Sequence, residues 1–232
     1  MRRSVRIFAA GLVLGSLALP GVAEEVGVAV RVRPDVIGHG VGEQERRIRE
    51  NDAIERGLKV FLRGFDAYLK VAFNLGGCSK FTSGKNHQFT GTASLFGKGE
   101  VDLGDANNPL ASWIGLNLGR LALKMLPKAD CKMDVETPHA RILVKGTALR
   151  VLVDPAVGTF VGVDEGTVSV EAKAGGKPVE VTAGNWVVVP PGGVPTRPAP
   201  LPADDADKVL QDAPLLGCCT GVEPPKSRKG PP

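Results

Sequence analysis

The sequence predicts an all-β protein, and three observations carry that prediction. Between Thr137 and Val189, short β-branched runs are separated by glycine corners at the close, regular spacing of an all-β chain. Val26, Val28, Val30 and Val32 alternate strictly, the period of a half-buried strand. Beyond Val189 the chain turns to Pro190, Pro191, Pro195, Pro198, Pro200 and Pro202. Proline has no amide hydrogen to give to a ladder, so this run reads as the end of the sheet. Apolar residues make up 43% of the 232, enough for a core, and 30 glycines with 18 prolines supply the turns. The expected architecture is a set of stacked short strands, β-solenoid-like or an irregular sandwich, over residues 24–190. A disordered, proline-rich tail is expected over 191–232.

Taken in order, residues 1–23 read as a secretory signal peptide. Arg2, Arg3 and Arg6 form a basic start, Ile7 to Leu19 an apolar stretch, and Gly21-Val22-Ala23 a small-residue cleavage site. The apolar stretch is shorter than the roughly 20 residues a spanning helix needs, and no later run is long enough. The mature chain is therefore expected to be extracytoplasmic, periplasmic or secreted, with no transmembrane span. Taking Arg2, Arg3 and Arg6 from the 29 basic residues leaves 26 against 25 acidic ones. A net charge of +1 is no footprint for nucleic acid.

The alternating valines come next, with Arg31 and Arg33 on the wet face, and the charged run Glu43–Glu50 reads as a solvated connection. Tyr68 to Phe73 alternates, with Leu69, Val71 and Phe73 on one face. Gly76-Gly77 and Gly84-Lys85-Asn86 read as corners around Cys78–Thr82, and Asp102–Pro109 as a surface loop. Leu116, Leu118, Leu121, Leu123 and Met125 alternate around Gly119-Arg120, which predicts a hairpin over Trp113–Leu126, with an amphipathic helix as the alternative. Further on, Leu149–Val151–Val153, Val161/Val163, Val168/Val170, Val179/Val181 and Trp186–Val189 read as strands. Asp204-Asp205 could cap a short helix through Leu210.

The last stretch carries a family resemblance. Thr137-Pro138, then Lys145-Gly146-Thr147 feeding a strand, then Glu165-Gly166 inside Val163–Val170, then Ala183-Gly184 before an apolar run, resemble the FecR domain. Arginine is usual in that family where Lys145 stands, and a smaller residue where His139 stands. Glu50–Gly57 is a looser match to a turn found in the same kind of chain, with Asn51 in place of glycine. The name-giving members relay the state of an outer-membrane transporter to a sigma factor. The resemblance thus implies an all-β extracytoplasmic module. The motif residues themselves are expected to be structural: Gly146 and Gly166 permit tight or positive-φ turns, Thr147 satisfies local backbone groups, and Trp186 is a core or rim aromatic.

In an oxidising compartment the four cysteines are expected to pair. Three connectivities are open. Cys78–Cys131 is favoured because both border strand-like runs, and it would contribute about 4 kcal/mol in the chain-entropy picture. Cys218 and Cys219, adjacent in the tail, are uncertain. No metal-ligand spacing surrounds either pair, and no cofactor is expected. The polar run Ser79–Gln88 contains no nucleophile elbow, no S-x-x-K and no phosphate loop. His39, His87 and His139 share no spacing. The sequence therefore points first to a non-catalytic module binding an envelope protein or cell-envelope polymer. A soluble component of transporter-linked signalling to a sigma factor is the alternative, and a hydrolytic or thiol enzyme is less favoured still.

Overall fold

The structure, a computed structural model, describes residues 24–40, 42–73, 91–104, 113–125 and 132–201. Strands make up the regular structure there. The first seven are β1 (Glu25–Val32), β2 (Val36–His39), β3 (Arg46–Arg47), β4 (Ala53–Glu55), β5 (Leu58–Leu62), β6 (Tyr68–Phe73) and β7 (Gly91–Leu103). Then follow β8 (Trp113–Met125), β9 (Met133–Glu136), β10 (Ala140–Val144), β11 (Ala148–Asp154) and β12 (Gly158–Glu165). The last four are β13 (Thr167–Ala172), β14 (Val179–Thr182), β15 (Asn185–Val189) and β16 (Ala199–Pro200).

Two 13-residue strands, β7 and β8, hold the molecule together. The first half of β7 pairs with β6 and its second half with β5. The first half of β8 pairs with β9, and its second half with β11. Two branches result. One runs β4-β1-β6-β7-β8-β11-β12-β15-β16, the other β3-β2-β5-β7-β8-β9-β10-β13-β14. All pairs are antiparallel except β8 with β9. Both branches turn alternate residues into one core, for example Leu69, Leu95, Leu121, Val151 and Val161 from the first, and Val60, Val101, Leu116, Val135, Ile142 and Val170 from the second. An irregular sandwich, of the two expected architectures, fits this arrangement.

The predicted hairpin within Trp113–Leu126 is instead the single strand β8. Gly119 is a bend in it, with φ +105 and with the Lys98 carbonyl 2.9 Å from where a Cβ would stand. Ile114 and Leu116 are buried before the bend, and Leu121, Leu123 and Met125 after it. The burial phase switches from even to odd as the strand passes from one branch to the other, which in sequence looks like a reversal. The first strand also departs from its alternation. Gly27 and Ala29 face inward, Val30 is 48% exposed, and a register shift between Ala29 and Arg31 turns Val32 back toward the core. A bulge of this kind resets which face each later residue takes.

Smaller differences follow from pairing that sequence patterns do not show. Arg46–Arg47, inside the expected loop, pairs with β2, and Ile48 beside it is 4% exposed. Asp102 lies in β7 rather than in a loop. The sheet also resumes after Pro190: Ala199 and Pro200 pair with Trp186 and Asn185, and the Thr196 amide donates to the Val188 carbonyl. Proline is tolerated because β16 is an edge. Asn51, at the position where the family has glycine, takes φ +70, which asparagine tolerates better than most residues. The signal segment, Cys78, Cys131, Cys218, Cys219, His87, the Ser79–Gln88 run and Asp204–Leu210 lie outside the described residues.

Candidate functional site

The motif residues gather at the two ends of the sandwich. Lys145-Gly146-Thr147 carries the chain from β10 to β11, Glu165-Gly166 from β12 to β13, and Ala183-Gly184 from β14 to β15. Each is a crossing between the branches, and the three crossings pack on one another. The Ala183 amide donates to the Gly166 carbonyl at 2.9 Å, and the Gly184 amide to the Val163 carbonyl at 2.8 Å. Gly166 has φ +82, and a Cβ there would stand 2.7 Å from Thr147 Cγ2. Glycine is demanded twice over, by conformation and by space. Thr147 is 1% exposed, and its Oγ1 has no hydrogen-bond partner among the described residues. The expectation that this hydroxyl satisfies local backbone groups is not met: its methyl does the packing. The Glu165 carboxylate reaches the Lys124 ammonium of β8 at 3.1 Å.

The opposite end is closed by hydrogen bonds. Thr137, in the turn from β9 to β10, donates from Oγ1 to the Ala140 carbonyl at 3.1 Å and accepts from the Ala140 amide at 2.9 Å. The same oxygen lies 2.8 Å from Thr159 Oγ1 on β12, and Thr159 Oγ1 lies 3.1 Å from His139 Nδ1. These groups are 2%, 0% and 8% exposed for Thr137, Thr159 and His139. With the Thr137 hydrogen given to Ala140, every contact carries a hydrogen when Thr159 donates to Thr137 and His139 Nδ1–H donates to Thr159. His139 thus ties the second branch to the first. Pro138 is exposed in the same turn.

Ion pairs stand on both branches. On the second branch three carboxylates are held: Arg141 donates to Asp134 at 2.7 Å, Lys59 stands 3.6 Å from Asp102, and Lys173 stands 3.6 Å from Glu136. The Asp134 hydrogen bond, with its charge, raises the pKa of the Arg141 guanidinium above its ordinary value. Asn117 donates to Glu100 and Asp102 at 3.3 and 3.2 Å.

On the first branch Arg150 forms a two-pronged pair with Asp164, and Lys124 takes Glu165. Arg31, Lys70 and Arg120 have no carboxylate partner among the described residues. Between these cations the same side of the strands is buried, with Tyr68, Ser94 and Phe96 at 4%, 4% and 5% exposure. Tyr68 leans on Phe96 with centroids 5.0 Å apart, the Arg33 guanidinium stands 5.8 Å from the Tyr68 ring, and Phe160 stacks on half-buried Trp186 at 6.2 Å and 7°. Trp186 is a rim aromatic on this face. The unmatched cations escaped the reading of the sequence, apart from Arg31 on its wet face, because residues 31, 70 and 120 meet only through β-pairing.

Among the described residues, no group of three His, Cys, Asp or Glu side chains is placed to hold a metal ion, and no helix is long and apolar enough to cross a membrane. No family model matches the sequence, and no curated protein matches it. Similar solved structures include two crystal structures, each of a candidate anti-sigma factor from Parabacteroides distasonis. The first is 12% identical with a TM-score of 0.38, over 68% of this chain and 63% of that one. The second is 13% identical with a TM-score of 0.38, over 68% and 62%. The matches span less than two thirds of the length of those chains.

Proposed function

We propose that this protein is a non-catalytic extracytoplasmic module that binds a protein partner or a cell-envelope polymer. One observation carries the reading. The motif residues are spent on building the crossings: Gly166 and Thr147 pack on each other, Ala183 and Gly184 bond the neighbouring corners, and Thr137 knits the far end. What remains for a partner is the exposed outer side of the strands and the edge strands, which are surfaces for recognition. The test is capture from envelope fractions by the immobilised, purified chain, followed by identification of what is retained. A single retained protein or polymer, displaced by free chain, supports the reading. A retained component of a transporter-linked signalling system would move the protein to that role. Retention of nothing, with turnover of a substrate pool by the purified chain, would overturn the reading in favour of an enzyme.

A further inference from the structure

We infer that this chain pairs with a second copy of itself through the edge strand β14, the two strands running antiparallel across a two-fold axis. The pairing is independent of what the module captures. The hydrogen-bond phase decides which backbone groups β14 leaves open. The Lys173 amide donates to the His139 carbonyl at 2.9 Å. In an antiparallel ladder the bonded pairs alternate, so residues 167, 169 and 171 of β13 turn their backbone groups to β10, and Val168 and Val170 turn theirs to β14. The Ala183 amide on the Gly166 carbonyl gives the same phase from the other end. Val179 and Val181 are therefore the residues of β14 bonded to β13. The amides and carbonyls of Glu180 and Thr182 point to the open side, where nothing takes them among the described residues. Both residues are exposed.

The other edges of the sheet are protected. Pro195, Pro198 and Pro200 line the β16 edge, β3 has only two residues, and the Arg46 guanidinium donates to the Ala53 carbonyl of β4 at 3.4 Å. β14 contains no proline and no such cap. One register serves two copies of it. With Val181 opposite the partner's Val181, Glu180 faces the partner's Thr182 and Thr182 the partner's Glu180. Every open amide and carbonyl of both strands is then bonded, and no like charges stand opposite. Pro178, which has no amide, falls opposite the partner's Gly184, and the Gly184 amide is already given to the Val163 carbonyl at 2.8 Å. The ladder ends there. Neighbouring registers do worse. Glu180 against Glu180 sets two carboxylates opposite, and Thr182 against Thr182 sets Glu180 against the spent Gly184 amide. A disordered peptide would have to order every residue it laid along this short edge, for few hydrogen bonds. A second β14 is already a strand, held by β13 on its other side. Pairing about a two-fold consumes the edge in both copies and closes at two chains.

Sedimentation velocity of the full chain over a concentration series is the test, and a reversible monomer–dimer equilibrium is the expected result. Glu180→Pro removes an amide that the chain does not itself use, on an edge where proline is tolerated, and should abolish the dimer. T182E sets glutamate opposite glutamate at two symmetric places and should weaken the dimer about tenfold or more. E180K/T182E sets lysine opposite glutamate at the same places and should restore the dimer to within about threefold of wild type. Circular dichroism checks that each variant is folded; if E180P is not, T182E and its repair carry the test alone. Wild type that stays monomeric at its highest soluble concentration would overturn the proposal. So would a dimer that E180P and T182E leave intact, a T182E defect that E180K fails to repair, or assembly beyond two chains. A monomeric wild type whose capture of an envelope protein is lost in E180P would also overturn it, because the edge would then belong to another protein.

Discussion

The two ends of the sandwich solve one problem, joining the branches, by different means. At the crossings of residues 145–147, 165–166 and 183–184 the branches are joined by close approach, with Gly166 against the Thr147 methyl and amides of one corner bonded to carbonyls of the next. At the other end they are joined through side chains, Thr137 to Thr159 to His139. The difference teaches that close approach tolerates no added atom, whereas a hydrogen-bonded joint tolerates shape and fails when one partner is lost.

The sharpest way to break the first joint is Gly166→Val. A β-branched residue at φ +82, with its Cβ 2.7 Å from Thr147 Cγ2, combines backbone strain with overpacking. The expected loss is about 3 kcal/mol or more by chemical denaturation. A retained melting temperature would mean the corner is loose. Next in size is Thr159→Val at the second joint, expected to cost about 1–3 kcal/mol because Thr137 and His139 lose a buried partner. The T137V/T159V double variant sharpens the comparison. Its loss should differ from the sum of the two single losses, and strict additivity in the double-mutant cycle would show that the bond between the branches carries no coupling.

Smaller still is Thr147→Val, which keeps the packing methyl and removes a buried hydroxyl with no partner among the described residues. Stability should change by less than about 1 kcal/mol, with a gain expected rather than a loss. A loss above that would show that the Oγ1 has a role in the fold. The smallest effect belongs to Glu165→Gln, beside the same corner. The pair with Lys124 is largely exposed on the glutamate side, at 63%, so the change should stay below about 0.5 kcal/mol and shrink further at high salt.

These joints also mark how much could be read from the sequence. The corners were legible because glycine announces a turn, and the inward residues from Leu149 to Val170 were legible because alternation is local. Gly119 misled for the same reason: a glycine that bends a strand between two sheets looks like one that reverses it. The β1 face misled because the bulge after Ala29 adds a residue that no periodicity encodes. β16 was hidden by proline, whose missing amide matters inside a sheet but not at its edge. On the first branch, Trp186 was legible as a rim aromatic. The row of Arg31, Lys70 and Arg120 was not, since it is assembled by pairings between strands far apart in the chain.

The long strands β7 and β8 have a consequence for how the chain can be divided. The stretch most readily recognised in the sequence, from Thr137 to Val189, leans on β8 twice, once through β9 and once through β11. Cut away from residues 91–125, it would present two bare ladders of amides and carbonyls, one on each branch. Open ladders recruit other chains, so a fragment starting at Thr137 should aggregate where the whole chain does not. The recognisable motif is thus a portion of a larger cooperative unit, and its smallest workable piece begins before β7.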